Sequence, residues 1–123
     1  MNILLLSRDL MLTARMEGVA RNLGMPVISC ADWATAVPAL AACRLIVLDL
    51  CMPQLDIGEI VAQASRLDPP LPIVSCGPHV HETRLAEARE AGCDLVVSRG
   101  QWDREAEKLC ARLLQNGLGS QGA

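Results

Sequence analysis

The sequence predicts a single doubly wound α/β domain, one five-stranded parallel sheet with helices on both faces. Three observations carry this. Five short segments are apolar in continuous runs and not in alternation, the pattern of strands buried on both sides. Between them, apolar residues recur at the spacing of one helix face. Gly, Pro and Asp punctuate the changes of period.

Residues 3–6 form the first apolar run, and Leu12, Met16, Val19, Ala20 and Leu23 then follow helical spacing up to Gly24. Residues 27–30 make a second strand. Asp32 is placed to cap a helix that Pro38 keeps short. Residues 45–48 are the third strand, ending on Asp49. Ile57, Ile60, Val61 and Ala64 line a helix that Pro69 and Pro70 stop. A fourth strand starts at Ile73 and Val74, a helix over 81–91 closes on Gly92, and residues 95–97 are the fifth strand. Trp102, Ala106, Leu109, Cys110 and Leu113 mark the last amphipathic face. The expected domain therefore spans 1–115, with 116–123 a Gly-rich mobile tail. Right-handed crossovers make the doubly wound topology the economical one.

The 123 residues are 51% hydrophobic and 20% charged, an ordinary globular composition. A net charge of −3, with no basic stripe, argues against a nucleic-acid partner. The opening MNILLLSRDL lacks a basic n-region and a cleavage site, and is too short to span a bilayer. A cytoplasmic protein with no membrane partner is the expectation. Six cysteines, none in a C-x-x-C pair, read as free buried thiols.

In doubly wound sheets, chemistry sits beyond the carboxyl ends of the strands. That rule selects Ser7, Arg8 and Asp9, then Asp49, then Ser75, Cys76 and Gly77, then Ser98 and Arg99. Asp49 stands out, because a carboxylate ending a central apolar strand is costly unless partnered or placed in a crevice. The alternative is a loop aspartate that only caps a turn.

LIVLDLCMPQLD, residues 45–56, and EAGCDLVVSRG, residues 90–100, resemble the receiver domains of two-component response regulators. The first matches that family's phosphoacceptor strand and Met-Pro turn, the second its turn into strand five. The resemblance implies a CheY-like, flavodoxin-like sheet of order 2-1-3-4-5, with Asp49 at the phosphoacceptor position. The family's magnesium-binding acidic pair falls on Ser7 and Arg8, with Asp9 beside them. Its strand-four hydroxyl falls on Gly77, two positions after Ser75. Its lysine falls on Arg99 and its aromatic switch residue on Val96.

Phosphoryl transfer to a carboxylate requires a divalent cation, and magnesium prefers several oxygen ligands. With Ser7 and Arg8 in place of two acids, Asp9 and Asp49 are left as at most a weak magnesium site, and no other cofactor is expected. Arg8 is expected to reach Asp49 directly, with Arg99 approaching from the other side, as a clasp that holds the loops without metal. The alternative is that Arg8 points to solvent.

Other constellations carry less. Cys76, His79 and His81 place a thiol and two imidazoles in one loop, ligand types for zinc or copper; the alternative is a rigid Pro-containing loop with histidines capping the next helix. Cys51 and Cys76 would form a redox pair only with Cα atoms within about 7 Å. Phosphate-binding glycine loops and catalytic triads are absent, so no enzyme activity is expected. Trp102 is a candidate anchor for docking or homodimerisation on the face of helix four, strand five and helix five, a face the family uses. The first functional reading is a stand-alone pseudo-receiver of two-component or phosphorelay type, acting by contact with a histidine kinase or effector. The second is a working phosphoacceptor modified on Asp49. The third is a redox- or metal-responsive module built on Cys76 and His79.

Overall fold

A computed structural model describes the backbone of residues 1–122 and the side chains of residues 1–115. The tail expected over 116–123 therefore lies outside the fully described residues. The chain opens with β1 (Asn2–Leu6), and α1 (Leu10–Asn22) carries it to β2 (Val27–Cys30). The short α2 (Trp33–Ala36) and a 3-10 turn (Val37–Ala42) lead to β3 (Cys43–Asp49). Then α3 (Ile57–Ser65) leads to β4 (Ile73–Gly77), α4 (Glu82–Ala91) to β5 (Leu95–Ser98), and α5 (Arg99–Gly122) follows. Every pairing is parallel and the order is β2-β1-β3-β4-β5, the doubly wound sheet expected.

Helix starts follow the capping chemistry in the sequence. Asp9 accepts from the Met11 and Leu12 amides at 2.9 and 3.1 Å and starts α1. Asp32 does the same for α2 through the Thr35 amide at 2.7 Å, and Pro38 then turns the chain into the tighter 3-10 geometry. Gly92 closes α4 with φ of 101°, a conformation that disfavours any residue with a Cβ. His81 sits at the start of α4 but makes no side-chain cap, so the capping role considered for the loop histidines is not filled.

The sheet divides the core into two layers. Leu4, Leu6, Ile46 and Leu48 face α2, α3 and α4, while Ile3, Leu5, Leu45 and Val47 face α1 and α5. Ile3 through Leu6 are all fully buried, which is why those runs are apolar without alternation. Cys30, Cys43, Cys76 and Cys110 are buried as expected, but Cys51 is exposed and Cys93 partly so; all six are free.

Trp102 is corrected by this packing. It is 0% exposed, inside the layer made by α1, α5 and the sheet, with an indole N–H that has no partner. An anchor for a docking partner must be presented at the surface, so Trp102 fills core instead. Trp33 is half-buried, and its Nε1 donates to Gln63 Oε1 at 3.0 Å, tying α2 to α3. Replacing Trp102 with alanine empties a large buried volume, and urea unfolding of Trp102→Ala should show a loss of about 3–5 kcal/mol. A loss under about 1 kcal/mol would contradict its place in the core.

Candidate functional site

Parallel strands bring the carboxyl ends of β1, β3, β4 and β5 to one edge of the sheet, so residues far apart in sequence meet there. Asp49 ends β3, is 3% exposed, and stands beside Cys76 of β4. Its two oxygens are held separately. The Ser7 hydroxyl donates to Oδ2 at 2.7 Å, and the Cys51 backbone N–H donates to Oδ1 at 2.9 Å. Ser7 in turn accepts the Asp9 backbone N–H at 3.0 Å. A chain from the Asp9 amide through the Ser7 hydroxyl to Asp49 thus satisfies the carboxylate with neutral donors.

The arginines go elsewhere, and the expected clasp on Asp49 is not formed. Arg8 Nε donates to the Ala31 carbonyl at 3.0 Å, which turns the guanidinium toward the β2–α2 loop. Arg99 does come toward the site, but its Nη1 pairs with Asp9 Oδ2 at 3.3 Å and its Nε with Asp103 Oδ1 at 3.4 Å. Asp103 was not a sequence candidate; the signal was its i,i+4 spacing from Arg99 on a helix.

Asp9 carries three tasks at once. Its Oδ1 caps α1, its Oδ2 meets Arg99, and its amide supports Ser7. The Leu12 amide, then the Met11 amide and Arg99, hold its carboxyl below the ordinary carboxylate value, against the opposing effect of burial.

Ser75 and Gly77 depart from the expected site in different ways. Ser75 points to the opposite face of the sheet from Asp49 and its Oγ contacts Cys93 Sγ at 3.1 Å, so it belongs to the α3–α4 layer. Gly77 does end β4 beside Ser98, but the space a side chain would need is taken. A Cβ at Gly77 would meet Leu50 Cβ at 3.1 Å, and Leu50 is itself buried. A hydroxyl-bearing residue at 77 would require Leu50 to move. Nothing in the sequence pattern marked Leu50 as the occupant.

Burial pushes the Cys76 thiol up to about 12, with the Asp49 charge adding to it. Cys51 is exposed as a residue, but partial desolvation of its thiol and then the Asp49 charge raise it as well. Neither presents a thiolate near neutral pH, the form that metal binding and redox exchange require. Among the described residues, no three His, Cys, Asp or Glu side chains gather around one point, so Cys76, His79 and His81 make no metal centre. The same holds for magnesium at Asp9 and Asp49. Two carboxylates are available, and all four of their oxygens are already engaged by protein donors. The donor set does not fit a cation that demands near-octahedral oxygen ligation.

No protein-family model matches the chain, and no curated protein sequence does. Solved structures match along almost its whole length. The signal receiver domain of an HD domain-containing protein from Pseudomonas fluorescens Pf-5 has a TM-score of 0.81 at 18% identity, covering 98% of this chain and 91% of that one. NtrX from Brucella abortus has a TM-score of 0.79 at 20% identity over 98% of this chain, which spans only 28% of NtrX. The receiver domain of sensor histidine kinase PA1611 from Pseudomonas aeruginosa PAO1, with a magnesium ion coordinated in its active site cleft, has a TM-score of 0.74 at 20% identity, covering 93% of this chain and 97% of that one. The fold is that of signal receiver domains.

Asp9 should titrate below its ordinary value of 3.8 in a carbon-detected NMR titration. Because the folded value lies below the unfolded one, this carboxylate stabilises the fold above the ordinary value, and that stabilisation disappears as pH falls through the folded value. Arg99→Gln should move the midpoint up only part of the way, since the Leu12 amide is the larger cause. Full return to the ordinary value in Arg99→Gln would contradict the capping geometry.

Proposed function

We propose that this chain is a receiver-type signalling module of the degenerate kind, which works through contact with a protein partner and not by turning over a substrate or accepting phosphate. The observation that carries this reading is the state of the carboxylate. By the sequence resemblance Asp49 takes the acceptor position, yet both its oxygens are tied to Ser7 and Cys51, and Arg99 is tied to Asp9 and Asp103. Of the two arginines near the site, Arg8 is turned to the Ala31 carbonyl and Arg99 to Asp9 and Asp103, which weakens the neutralisation a transferring phosphoryl group needs. The packing of Leu50 against Gly77 supports the same reading, because a phosphorylation signal would find no hydroxyl there to move.

Contact with a protein is supported by the rim of this end of the sheet. Leu10, Met11 and Val80 are 84%, 81% and 69% exposed there, in the first turn of α1 and the loop before α4. The outward side of α4 carries the exposed Glu82, Glu87, Arg89 and Glu90, so a partner docking on α4 would meet a charged surface. A histidine kinase or a downstream effector is the class of partner proposed. No helix among the described residues is long and apolar enough to cross a membrane.

A second reading is favoured by one feature, the burial of Asp49 beside the acidic Asp9 loop. In it, Asp49 accepts phosphate from a histidine kinase. Incubation with magnesium and acetyl phosphate, or with beryllofluoride, separates the two. The proposed reading predicts an unchanged intact mass and no magnesium-dependent shift of the amides of residues 7–9 and 49–51. An adduct on Asp49 would establish the second reading instead.

A further inference from the structure

At the opposite edge of the sheet, the first residues of β3 open onto a cavity of about 420 Å³. Cys43 begins β3 and Asp49 ends it, so six residues, about 20 Å of strand, separate this cavity from the Asp49 site. The volume lies in the range of small-molecule sites. Its walls are largely apolar, formed by Leu40 from the 3-10 turn, Leu67 and Leu71 from the α3–β4 loop, and Leu113 from α5. Leu40, Leu71 and Leu113 are otherwise buried, so the cavity opens into the core layers and is not a dimple in a polar surface.

Arg44 and Asp68 stand at its rim, with the Met1 amine as a second cation beside them. Arg44 is partly buried and, among the described residues, has neither an ion pair nor a hydrogen bond; Asp68 is exposed and likewise unpaired. A partly desolvated guanidinium without an acceptor is unfavourable, and the matching ligand group is a carboxylate, which the planar fork takes through two parallel bonds. Asp68 on the same rim disfavours a second negative charge.

We propose that this cavity binds a small apolar monocarboxylate, with the hydrocarbon part among Leu40, Leu67, Leu71 and Leu113 and the carboxylate on Arg44. This site is independent of the Asp49 end. Whether the ligand also bears an ammonium group is decided by Asp68, which would accept it.

The test uses the full chain with methyl-resolved NMR, titrating octanoate, octanol and 2-aminooctanoate. Octanoate should shift the methyls of Leu40, Leu67, Leu71 and Leu113 saturably, octanol at least tenfold more weakly. Arg44→Gln should weaken octanoate at least tenfold while leaving octanol unchanged. Tighter binding of 2-aminooctanoate, lost in Asp68→Asn, would identify an amino acid; equal or weaker binding would identify a simple acid, and both outcomes support the site. The proposal is overturned if no saturable shift develops at millimolar octanoate, or if Arg44→Gln binds as well as the parent.

Discussion

A carboxylate buried at the end of the central strand is the constraint around which this end of the molecule is arranged. Leaving such a group without partners costs several kcal/mol, and a receiver-shaped sheet places it there regardless of what surrounds it. Here the cost is offset by a hydroxyl and an amide, from Ser7 and Cys51, and the nearby arginines pair elsewhere. The Ser7 bond also ties β3 to the turn after β1, so the geometry of that turn depends on Asp49 as much as the reverse.

The neighbouring charges follow from this choice. Asp9 caps α1, and Arg99 bridges Asp9 and Asp103 along α5. Arg8 leaves the site for the Ala31 carbonyl. Each exposed ion pair is weak on its own, because solvent screens it. Together they engage the charged side chains at this end of the sheet. Leu50 completes the arrangement by filling the space beside Gly77.

The fold was readable in the sequence because burial on both faces writes continuous apolar runs into the strands, and Asp32, Pro38 and Gly92 mark element ends. The position of Asp49 was readable for the same reason, being the last residue of such a run. Side-chain partners were not. Arg8 and Arg99 are long and flexible, and whether each turns to Asp49, to a carbonyl or to a helix neighbour depends on differences the residue types do not encode. Trp102 misled for a related reason: a tryptophan near a helix start reads equally as a surface anchor or as core, and only the closeness of α1 and α5 decides it. Leu50 was invisible because its role depends on what Gly77 lacks.

The central claim is that Ser7 and Asp49 stabilise one another directly, without a cation. A double-mutant cycle of Ser7→Ala and Asp49→Asn, followed by urea unfolding with and without magnesium, measures it. The account predicts a coupling of about 1–3 kcal/mol that is the same in both conditions. Additive effects of the two substitutions, or a parent protein that magnesium stabilises, would contradict it.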